Sequence, residues 1–400
     1  MQKVIKYTFK TLLLLPILLL IKVNIALYYT PTFIKTLNED ELAQLDFLEN
    51  QLHNKAAGQK MQDVFPEGFL FINALYGLSY ADFVTKSSIS TQSKLAKKAD
   101  KEINWSIAEI NSQFCKSNFP ANLLLENGAF YKGWQSYLIG KSLQLATKKD
   151  TILITLFKAN CAAISNAIMH TNQPFLESYT GAAWPADNIV CLASLALHDR
   201  LFEPKYTAVI ANWLNRIKAH LDEKTGLIPH SFSLFDNKGI EVRGSSQSMM
   251  LSFLPEIDPI FAQNQYKLYK KWFVEIKLGL PAVREYPMGM TGDGDVDSGP
   301  VIWDVGGAAS IVGIRAATQN SDFELAKSLR NSIEAFAFST NFQDEKTYFM
   351  GKLPVIDAFM AWSNSLNQPA NEPKTWGGSW QFLLLSVLFA VPFCWWVYRL

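Results

Sequence analysis

Apolar residues recur along most of this chain at the three- and four-residue spacing of an amphipathic helix. Leu42, Leu45, Leu48 and Leu52 form one such stripe. The same spacing recurs at 69–83, 138–145, 152–168, 189–201, 209–221, 266–276, 308–317 and 323–338. The pattern predicts roughly ten to twelve helices joined by short loops, one of them beginning at Ile189.

The segment 226–244 departs from the helical spacing. Ile228, His230 and Phe232 alternate with other residues, and a turn-forming run at 236–239 precedes Ile240 and Val242. The pattern predicts a small β-hairpin between helices. A long series of antiparallel helix pairs with such an excursion is what an (α/α)6 toroid requires, because each pair buries an apolar stripe on its neighbours. We therefore expect an all-α fold of this type.

Both ends of the chain predict membrane-spanning helices. Three lysines precede a Leu- and Ile-rich run at 11–21 that continues to residue 29, and no small-residue cleavage site follows. We interpret 1–29 as an uncleaved anchor, with a cleaved signal peptide as the alternative. The stretch 382–398 is apolar apart from Ser386 and is flanked by tryptophans, so 376–400 is predicted to span the membrane. The alternative is a buried helix of a soluble fold.

The charges beside these two segments predict an orientation. Lys3, Lys6 and Lys10 precede the first segment and Arg399 follows the second, which places both termini in the cytoplasm. The domain at 30–374, ending in a linker-like stretch at 368–374, would then be extracytoplasmic. We expect a bacterial inner-membrane protein with a periplasmic domain.

Composition narrows the function further. The 37 basic and 36 acidic residues nearly cancel, which gives no electrostatic basis for binding nucleic acid. The four cysteines show neither a CxxC pair nor a histidine at zinc-ligand spacing. We therefore predict no structural metal, no disulfide framework and no cofactor. A small-molecule substrate and the membrane are the expected partners, and a homo-oligomer stays open.

Two acidic loops are the strongest candidates for chemistry. One contains Trp184 and Asp187, and the other, at 293–300, contains Asp293, Asp295 and Asp297. Asp187 paired with Asp295 or Asp297 would supply the two carboxyl groups of glycosidic bond cleavage. Asp187 or Asn188 could instead cap a helix, and the second loop could bind calcium with Asp304 or form a solvated turn.

A histidine and several aromatic and charged residues complete the candidate site. His230 is a candidate proton shuttle, with a packing role as the alternative, and Arg243 would clamp an anionic group or pair with Glu241. For Tyr131 and Trp134 a place in the core is the alternative to substrate contact. The residues predicted to contact substrate are Glu177, Tyr179, Trp184, Tyr131, Trp134, Arg243 and Tyr286.

One stretch carries a family resemblance. The run 126–134, Glu-Asn-Gly-Ala-Phe-Tyr-Lys-Gly-Trp, with Tyr137, Gly140 and Leu143 after it, resembles the Tyr-Lys-Gly helix of the linalool dehydratase/isomerase family. The likeness extends over 60–340 and implies an (α/α)6 barrel. Its further motifs are Glu177, Asp187-Asn188, Ala193, Leu195, Asp199-Arg200-Leu201, Tyr206, Trp213-Leu214, the run 258–262, Tyr269, Phe273-Val274 and Val283-Arg284-Glu285.

The chain departs from this family at the reactive positions. Where the family has two cysteines and a histidine, this sequence has Leu176, Asp187 and Trp134. The resemblance thus implies a site whose acid–base group has changed from thiol to carboxylate. The main hypothesis is a lyase or isomerase acting on a terpenoid-like alcohol. The alternatives are a carbohydrate-active toroid enzyme using Asp187 with Asp297, and a non-catalytic membrane-tethered binding module.

Overall fold

The computed structural model describes residues 2–29, 31, 33–34, 37–86, 93–146, 150–296, 298–366 and 379–399. The predicted linker at 368–374 lies outside them. The helices are α1 Gln2–Ala26, α2 Glu39–Lys55, α3 Ala57–Val64, α4 Gly68–Lys86, α5 Lys94–Asn111, α6 Gln113–Lys116, α7 Gly128–Leu145, α8 Thr151–His170, α9 Pro185–Leu201, α10 Thr207–Lys218, α11 Gly244–Leu251, α12 Leu254–Ile257, α13 Pro259–Phe273, α14 Gly307–Gln319, α15 Phe323–Phe336, α16 Pro354–Asn364 and α17 Ser379–Arg399. The chain is mostly helical, as the apolar spacing predicts.

Side-chain caps start several of these helices. Asp150 accepts hydrogen bonds from the backbone N–H groups of Ile152 and Leu153 at the start of α8. Asp258 does the same at the start of α13, where Pro259 occupies the first helical position. Such caps satisfy N–H groups that have no partner within the helix, which fixes where each helix begins.

Six of the helices contact one another in a closed cycle. α4 contacts α7, α7 contacts α9, α9 contacts α11, α11 contacts α14, α14 contacts α16, and α16 contacts α4. The other helices of the bundle pack against this cycle: α3 and α5 on α4, α8 on α7, α10 on α9, α13 on α11, α15 on α14 and α2 on α16. We call the six helices the inner cycle.

Large aromatic side chains fill the space that the inner cycle surrounds. The ring of Trp134 on α7 lies 5.4 Å from that of Phe71 on α4, 5.8 Å from Trp362 on α16 and 5.7 Å from Phe253. These residues belong to one continuous core that includes most buried apolar side chains of the bundle. Since each aromatic side chain buries a large apolar area, this cluster stabilises the bundle.

Among the described residues, five short antiparallel hairpins interrupt the helices. They are β1 Phe33–Ile34 with β2 Leu37–Asn38, β3 Ser231–Ser233 with β4 Lys238–Ile240, β5 Val274–Lys277 with β6 Leu280–Val283, β7 Val301–Ile302 with β8 Val305–Gly306, and β9 Thr340–Phe342 with β10 Glu345–Thr347. The β3–β4 pair lies within the predicted hairpin at 226–244. The other four were not predicted.

In the part of the chain that the structure describes, three helices are long and apolar enough to cross a membrane: α1 from Lys6, α8 and α17. α1 and α17 pack against each other, and Asn24 Nδ2 donates to Ser386 Oγ at 2.9 Å. α8 instead packs against α7 and α9 of the inner cycle and buries Phe157, Cys161 and Ile164 there. One face of α8 therefore packs within the bundle, while Ile152 and Met169 are exposed.

Candidate functional site

The helices of the inner cycle begin at a common end of the bundle, which we call the loop face. The segments that precede α4, α7, α9, α11 and α14 are hydrogen-bonded to one another there. The ring of Phe71 on α4 lies 5.1 Å from that of Phe359 on α16, tilted by 54°. The hydrogen bonds run from Ala129 N to Glu177 O, Phe232 N to Ala183 O, Gly244 N to Glu285 O and Tyr179 Oη to Glu67 Oε1. Most of the residues predicted as functional lie in these segments.

Asp187 lies in the first turn of α9, which begins at Pro185 rather than at the predicted Ile189. Neither Asp187 nor Asn188 caps this helix, because the N-cap position is Trp184. Asp187 Oδ2 accepts a hydrogen bond from Ser178 Oγ at 2.5 Å. Asn188 is buried and bonds both the N–H and the C=O of Leu176. The predicted cap is therefore wrong, and Asn188 joins α9 to the preceding loop.

Glu177, Tyr179 and Trp184 lie in the loop before α9. Glu177 Oε1 accepts from the backbone N–H of Gly181 at 2.7 Å and so closes a turn. The rings of Tyr179 and Trp184 meet edge to face at 5.8 Å, and both are partly exposed. These two aromatic side chains form an accessible wall of the loop face.

The structure places Tyr131 and Trp134 in the core. Tyr131 Oη donates to the backbone oxygen of Ile110 at 3.1 Å, and Trp134 lies within the aromatic cluster of the inner cycle. Both side chains are buried. They correspond to the core alternative of the sequence analysis.

Arg243, at the N-terminus of α11, is the centre of a polar cluster. Its guanidinium donates to Asp295 Oδ2, to Tyr286 Oη at 2.6 Å and to Glu241 Oε2 at 3.2 Å. Burial alone would raise the pKa of Asp295, but hydrogen bonds from Ser298 and Arg243 outweigh it and lower this pKa to about 2. Arg243, Asp295 and Tyr286 were each predicted as site residues, and the structure brings them together.

His230 adjoins this cluster, which also includes Ser245 and Ser246. Its Nδ1 shares a hydrogen bond of 2.6 Å with Ser246 Oγ. Burial, and then the positive charge of Arg243, lower the pKa of His230 to about 4. The imidazole is therefore neutral at pH 7 and can accept a proton. No other described residue hydrogen-bonds its second nitrogen, Nε2.

Glu285, like Ser245 and Ser246, belongs to this cluster although the sequence analysis did not identify it as functional. It is fully buried, and its Oε1 accepts from Ser245 Oγ at 2.6 Å. Its Oε2 has no partner among the described residues. Burial raises the pKa of Glu285 to about 7, because a desolvated carboxylate is disfavoured and the bonds from Ser245 and the charge of Arg243 only partly compensate. The residues His230, Arg243, Ser245, Ser246, Glu285, Tyr286 and Asp295 are called the Arg243 cluster below.

Asp304, the residue outside the acidic loop that was considered as a calcium ligand with it, contacts cations of the protein. Asp304 accepts from Arg284 at 3.2 Å and lies 3.5 Å from Lys277 Nζ. Asp293 is exposed and contributes its backbone oxygen to Tyr286 Oη. Asp297 lies outside the described residues. Within the described part of the chain, no cluster of three or more potential metal ligands is present.

Cys191 is the cysteine nearest to Asp187 in the chain. Its thiol is buried and donates to the backbone oxygen of Ala129 at 3.3 Å. Burial, followed by the charge of Asp187, raises the pKa of Cys191 well above its usual value. A thiol held protonated is a poor nucleophile, so this group is unsuited to covalent chemistry.

Comparison with known proteins gives distant structural likeness and no sequence match. No protein family model and no curated protein matches this sequence. Among solved structures, the chain is similar to one described as "Crystal structure of D-mannose isomerase", with a TM-score of 0.48 and 10% sequence identity. The likeness covers 86% of this chain and 98% of that one. A likeness this distant assigns neither the fold nor the activity.

Proposed function

We propose that this protein is a membrane-anchored enzyme that transfers protons on a hydroxyl-rich substrate, a saccharide, at the Arg243 cluster. The observation that carries the proposal is Glu285: a fully buried carboxyl with an unpaired oxygen and a pKa of about 7. A group that is half protonated near neutral pH is suited to act as both acid and base, and perturbed pKa values concentrate at functional sites.

The cluster supplies two groups with complementary protonation. His230 is neutral above about pH 4 and accepts a proton, whereas Glu285 stays protonated up to about pH 7 and donates one. Ser245 is partly exposed, and its hydroxyl donates a hydrogen bond to Glu285. A proton would pass through this hydroxyl between the buried carboxyl of Glu285 and a bound substrate. Activity would then peak between these two pKa values.

The polarity of the cluster favours a saccharide over a terpenoid alcohol. Its accessible groups include the His230 ring and the Ser245 hydroxyl, and the partly exposed rings of Tyr179 and Trp184 lie on the same loop face. A saccharide offers several hydroxyl groups to such a site and an apolar ring face to the aromatic wall, whereas a terpenoid alcohol offers a single hydroxyl. The pairing of Asp187 with Asp297 stays a prediction, because Asp297 lies outside the described residues; Asp187 itself accepts a hydrogen bond from Ser178.

The fold of the proposed enzyme is an (α/α)6 barrel. The closed inner cycle of α4, α7, α9, α11, α14 and α16, with further helices packed outside it, supports this interpretation. Membership of the linalool dehydratase/isomerase family stays a proposal based on the sequence motifs. The catalytic domain is proposed to face the periplasm, on the charges at Lys3, Lys6, Lys10 and Arg399.

One observation favours a non-catalytic binding module as the second candidate. All three nitrogen groups of Arg243 already bond Glu241, Asp295 and Tyr286, which is how a structural arginine is used. In that case the Arg243 cluster would order the loops of the loop face, and a ligand would bind without being transformed.

Proton transfer can be tested without knowing the substrate. The full-length protein in detergent would be incubated in D2O with monosaccharides, oligosaccharides and terpenoid alcohols, and NMR would detect deuterium uptake, bond cleavage or dehydration. We expect turnover of a saccharide, its loss in Glu285→Gln and His230→Gln, and its retention in Glu223→Gln, an exposed glutamate outside the cluster.

The other outcomes separate the hypotheses. Turnover of a terpenoid alcohol alone would support the lyase or isomerase hypothesis and overturn the saccharide assignment. Turnover that survives both Glu285→Gln and His230→Gln would exclude the Arg243 cluster as the catalytic site. Calorimetric binding of a sugar without any turnover would establish the binding module instead.

A further inference from the structure

The bundle contacts the two terminal helices, α1 and α17, where α1 ends and α17 begins. Val23 and Leu27 at the end of α1 and Phe382 near the start of α17 form one buried cluster with Leu280 of β6 and Ala335 of α15. The side chain of Asn331 on α15 also donates to the backbone oxygen of Leu27 at 2.9 Å. Because these are the ends of α1 and α17 nearest the bundle, β6 and the end of α15 lie at one membrane–water interface.

That interface is on the side of the loop face. The backbone N–H of Arg284 bonds Phe273 O, so α13 ends beside the Arg243 cluster. Tyr348 joins the end of α15 to the start of α16, since its Oη donates to Glu334 and its backbone N–H donates to Asp357. The outer helices α13 and α15 therefore both end at the loop face, where the inner helices begin.

A group of exposed apolar side chains lies in the segments at this end of the bundle, and four of them adjoin, along the chain, residues of the contact with α1 and α17. Ile276 and Leu278 lie at the tip of the β5–β6 hairpin, directly before Leu280, and Phe336 and Phe338 follow Ala335. Trp303 lies at the tip of the β7–β8 hairpin. This hairpin is next to β5, because Asp304 contacts Lys277. Phe342 lies on β9. We call these six residues the apolar rim; Trp303 and Phe342 are 71% and 74% exposed.

The apolar rim is continuous with the membrane helices. The ring of Phe336 meets that of Phe382 on α17 at 5.8 Å, and Lys22 Nζ on α1 lies 5.7 Å from the ring of Phe338. A lysine near the end of a membrane helix typically extends its ammonium to the lipid headgroups, and aromatic residues concentrate at that level. Exposed apolar surface of this kind, next to a membrane anchor, matches the chemistry of the headgroup and acyl boundary.

We propose that the apolar rim inserts into the lipid interface of the bilayer that α1 and α17 cross. The loop face then opens toward the membrane surface rather than away from it. Glu285 follows Leu280 by five residues, so at about 3.4 Å per residue its backbone lies within about 17 Å of the membrane-contacting cluster. The Arg243 cluster is thereby positioned to reach molecules held at the membrane surface, whether or not it is catalytic.

Depth-dependent fluorescence quenching tests this proposal on the full chain. Leu278→Cys and Phe342→Cys, made separately in a Cys394→Ser background, would be labelled with an environment-sensitive fluorophore; Cys115, Cys161 and Cys191 are buried. The labelled protein would be placed in phosphatidylcholine nanodiscs with and without lipid carrying a doxyl group near the headgroup. Ile260→Cys is the matched control, because it is 77% exposed and lies about 20 Å from the loop-face end of α13.

The expected result is a blue-shifted emission and loss of fluorescence with doxyl lipid at both rim positions, and no change at Ile260. Equal fluorescence with and without doxyl lipid at Leu278 and Phe342 would overturn the proposal, as would equal quenching at Ile260. If the blue shift at the rim positions disappears when each nanodisc holds a single protein copy, a second copy of the chain covers this surface. That result would also overturn the proposal.

Discussion

Two clusters of buried charge in this protein differ in how completely their carboxyl groups are paired. Within the inner cycle, one oxygen of Asp82 lies 3.1 Å from Lys141 Nζ and the other accepts from Arg315 at 2.7 Å. Arg315 also donates to Trp362 O and lies over its ring, 4.1 Å from the centroid. In the Arg243 cluster, by contrast, Glu285 Oε2 has no partner among the described residues.

The difference in pairing reverses the direction of the pKa shift. Burial alone would raise the pKa of Asp82, but the charges of Lys141 and Arg315 outweigh it and lower this pKa. For Glu285 burial prevails and the pKa rises to about 7. A fully paired carboxylate contributes to stability by staying charged, whereas an incompletely paired one is poised to exchange a proton. The comparison assigns structure to the Asp82 cluster and chemistry to the Arg243 cluster.

The largest effect is expected from Glu285→Gln. The amide keeps the shape of the carboxyl but cannot exchange a proton, so turnover should fall about 10²- to 10⁴-fold, the usual contribution of general acid–base catalysis. The measurement is the rate of deuterium uptake or cleavage on the saccharide identified above. Asp357→Asn is the matched control, because Asp357 is another fully buried carboxyl with a raised pKa but lies outside the cluster. A comparable loss of turnover in both variants would contradict a specific catalytic role for Glu285.

Arg315→Met should destabilise the protein strongly. It leaves Asp82 buried with Lys141 as its remaining cation, and breaking a buried ion pair by removing one partner typically costs about 3–5 kcal/mol. Urea unfolding of the full chain in detergent, followed by near-UV circular dichroism, measures this change. The double variant Asp82→Leu/Arg315→Met should recover part of the loss, since no uncompensated charge then stays buried. A single variant as stable as the wild type would mean that the Asp82 cluster carries no structural role.

The pH dependence of stability should also separate the two clusters. Glu285 has an ordinary pKa of 4.5 and a folded-state pKa of about 7, so between these values the native state binds more protons than the unfolded state. Its contribution is fully present below pH 4.5 and is lost as pH rises through 7, by about 3 kcal/mol for a shift of this size. Urea midpoints at pH 5 and pH 8 should therefore differ less in Glu285→Gln than in the wild type. Glu223→Gln should keep the wild-type difference between the two urea midpoints. If Glu285→Gln also keeps that difference, Glu285 does not have a raised pKa in the folded state.

The helical content could be predicted from the sequence because it depends on a local period, while Glu285 could not be identified because its environment is built from distant segments. Glu285 is flanked by Arg284 and Tyr286, which look like the polar end of a strand. Its burial and raised pKa arise from contact with Ser245 and from Gly306, where an added Cβ would lie 2.6 Å from Glu285 Oε2. These contacts cannot be predicted from the spacing of residues along the chain.

The early start of α9 has a local cause that the sequence does contain. Pro185 occupies the first helical position, where its missing N–H costs nothing, so the Asp187-Asn188 pair falls inside the helix rather than before it. By contrast, the meeting of His230, Arg243 and Asp295 depends on loops that precede different inner helices. The sequence shows that these residues are of types that can bind substrate or transfer protons. That they lie together could be seen only in the structure.

Ser245→Ala should change the pKa of Glu285 only slightly, although it also removes the proposed proton path, and it refines the role of Glu285. The Ser245 hydroxyl donates to Glu285 Oε1 and so stabilises the ionised carboxyl. Removing a hydrogen bond worth about 1 kcal/mol should raise the pKa of Glu285 further, by about 0.7 units. The alkaline limb of the pH–rate profile should move upward by that amount, while Ser233→Ala, on the β3–β4 hairpin away from Glu285, should leave it in place. Because Ser245 is also the proposed proton path, the rate at the optimum should fall as well; a lower rate with an unmoved limb would mean that Glu285 does not set that limb.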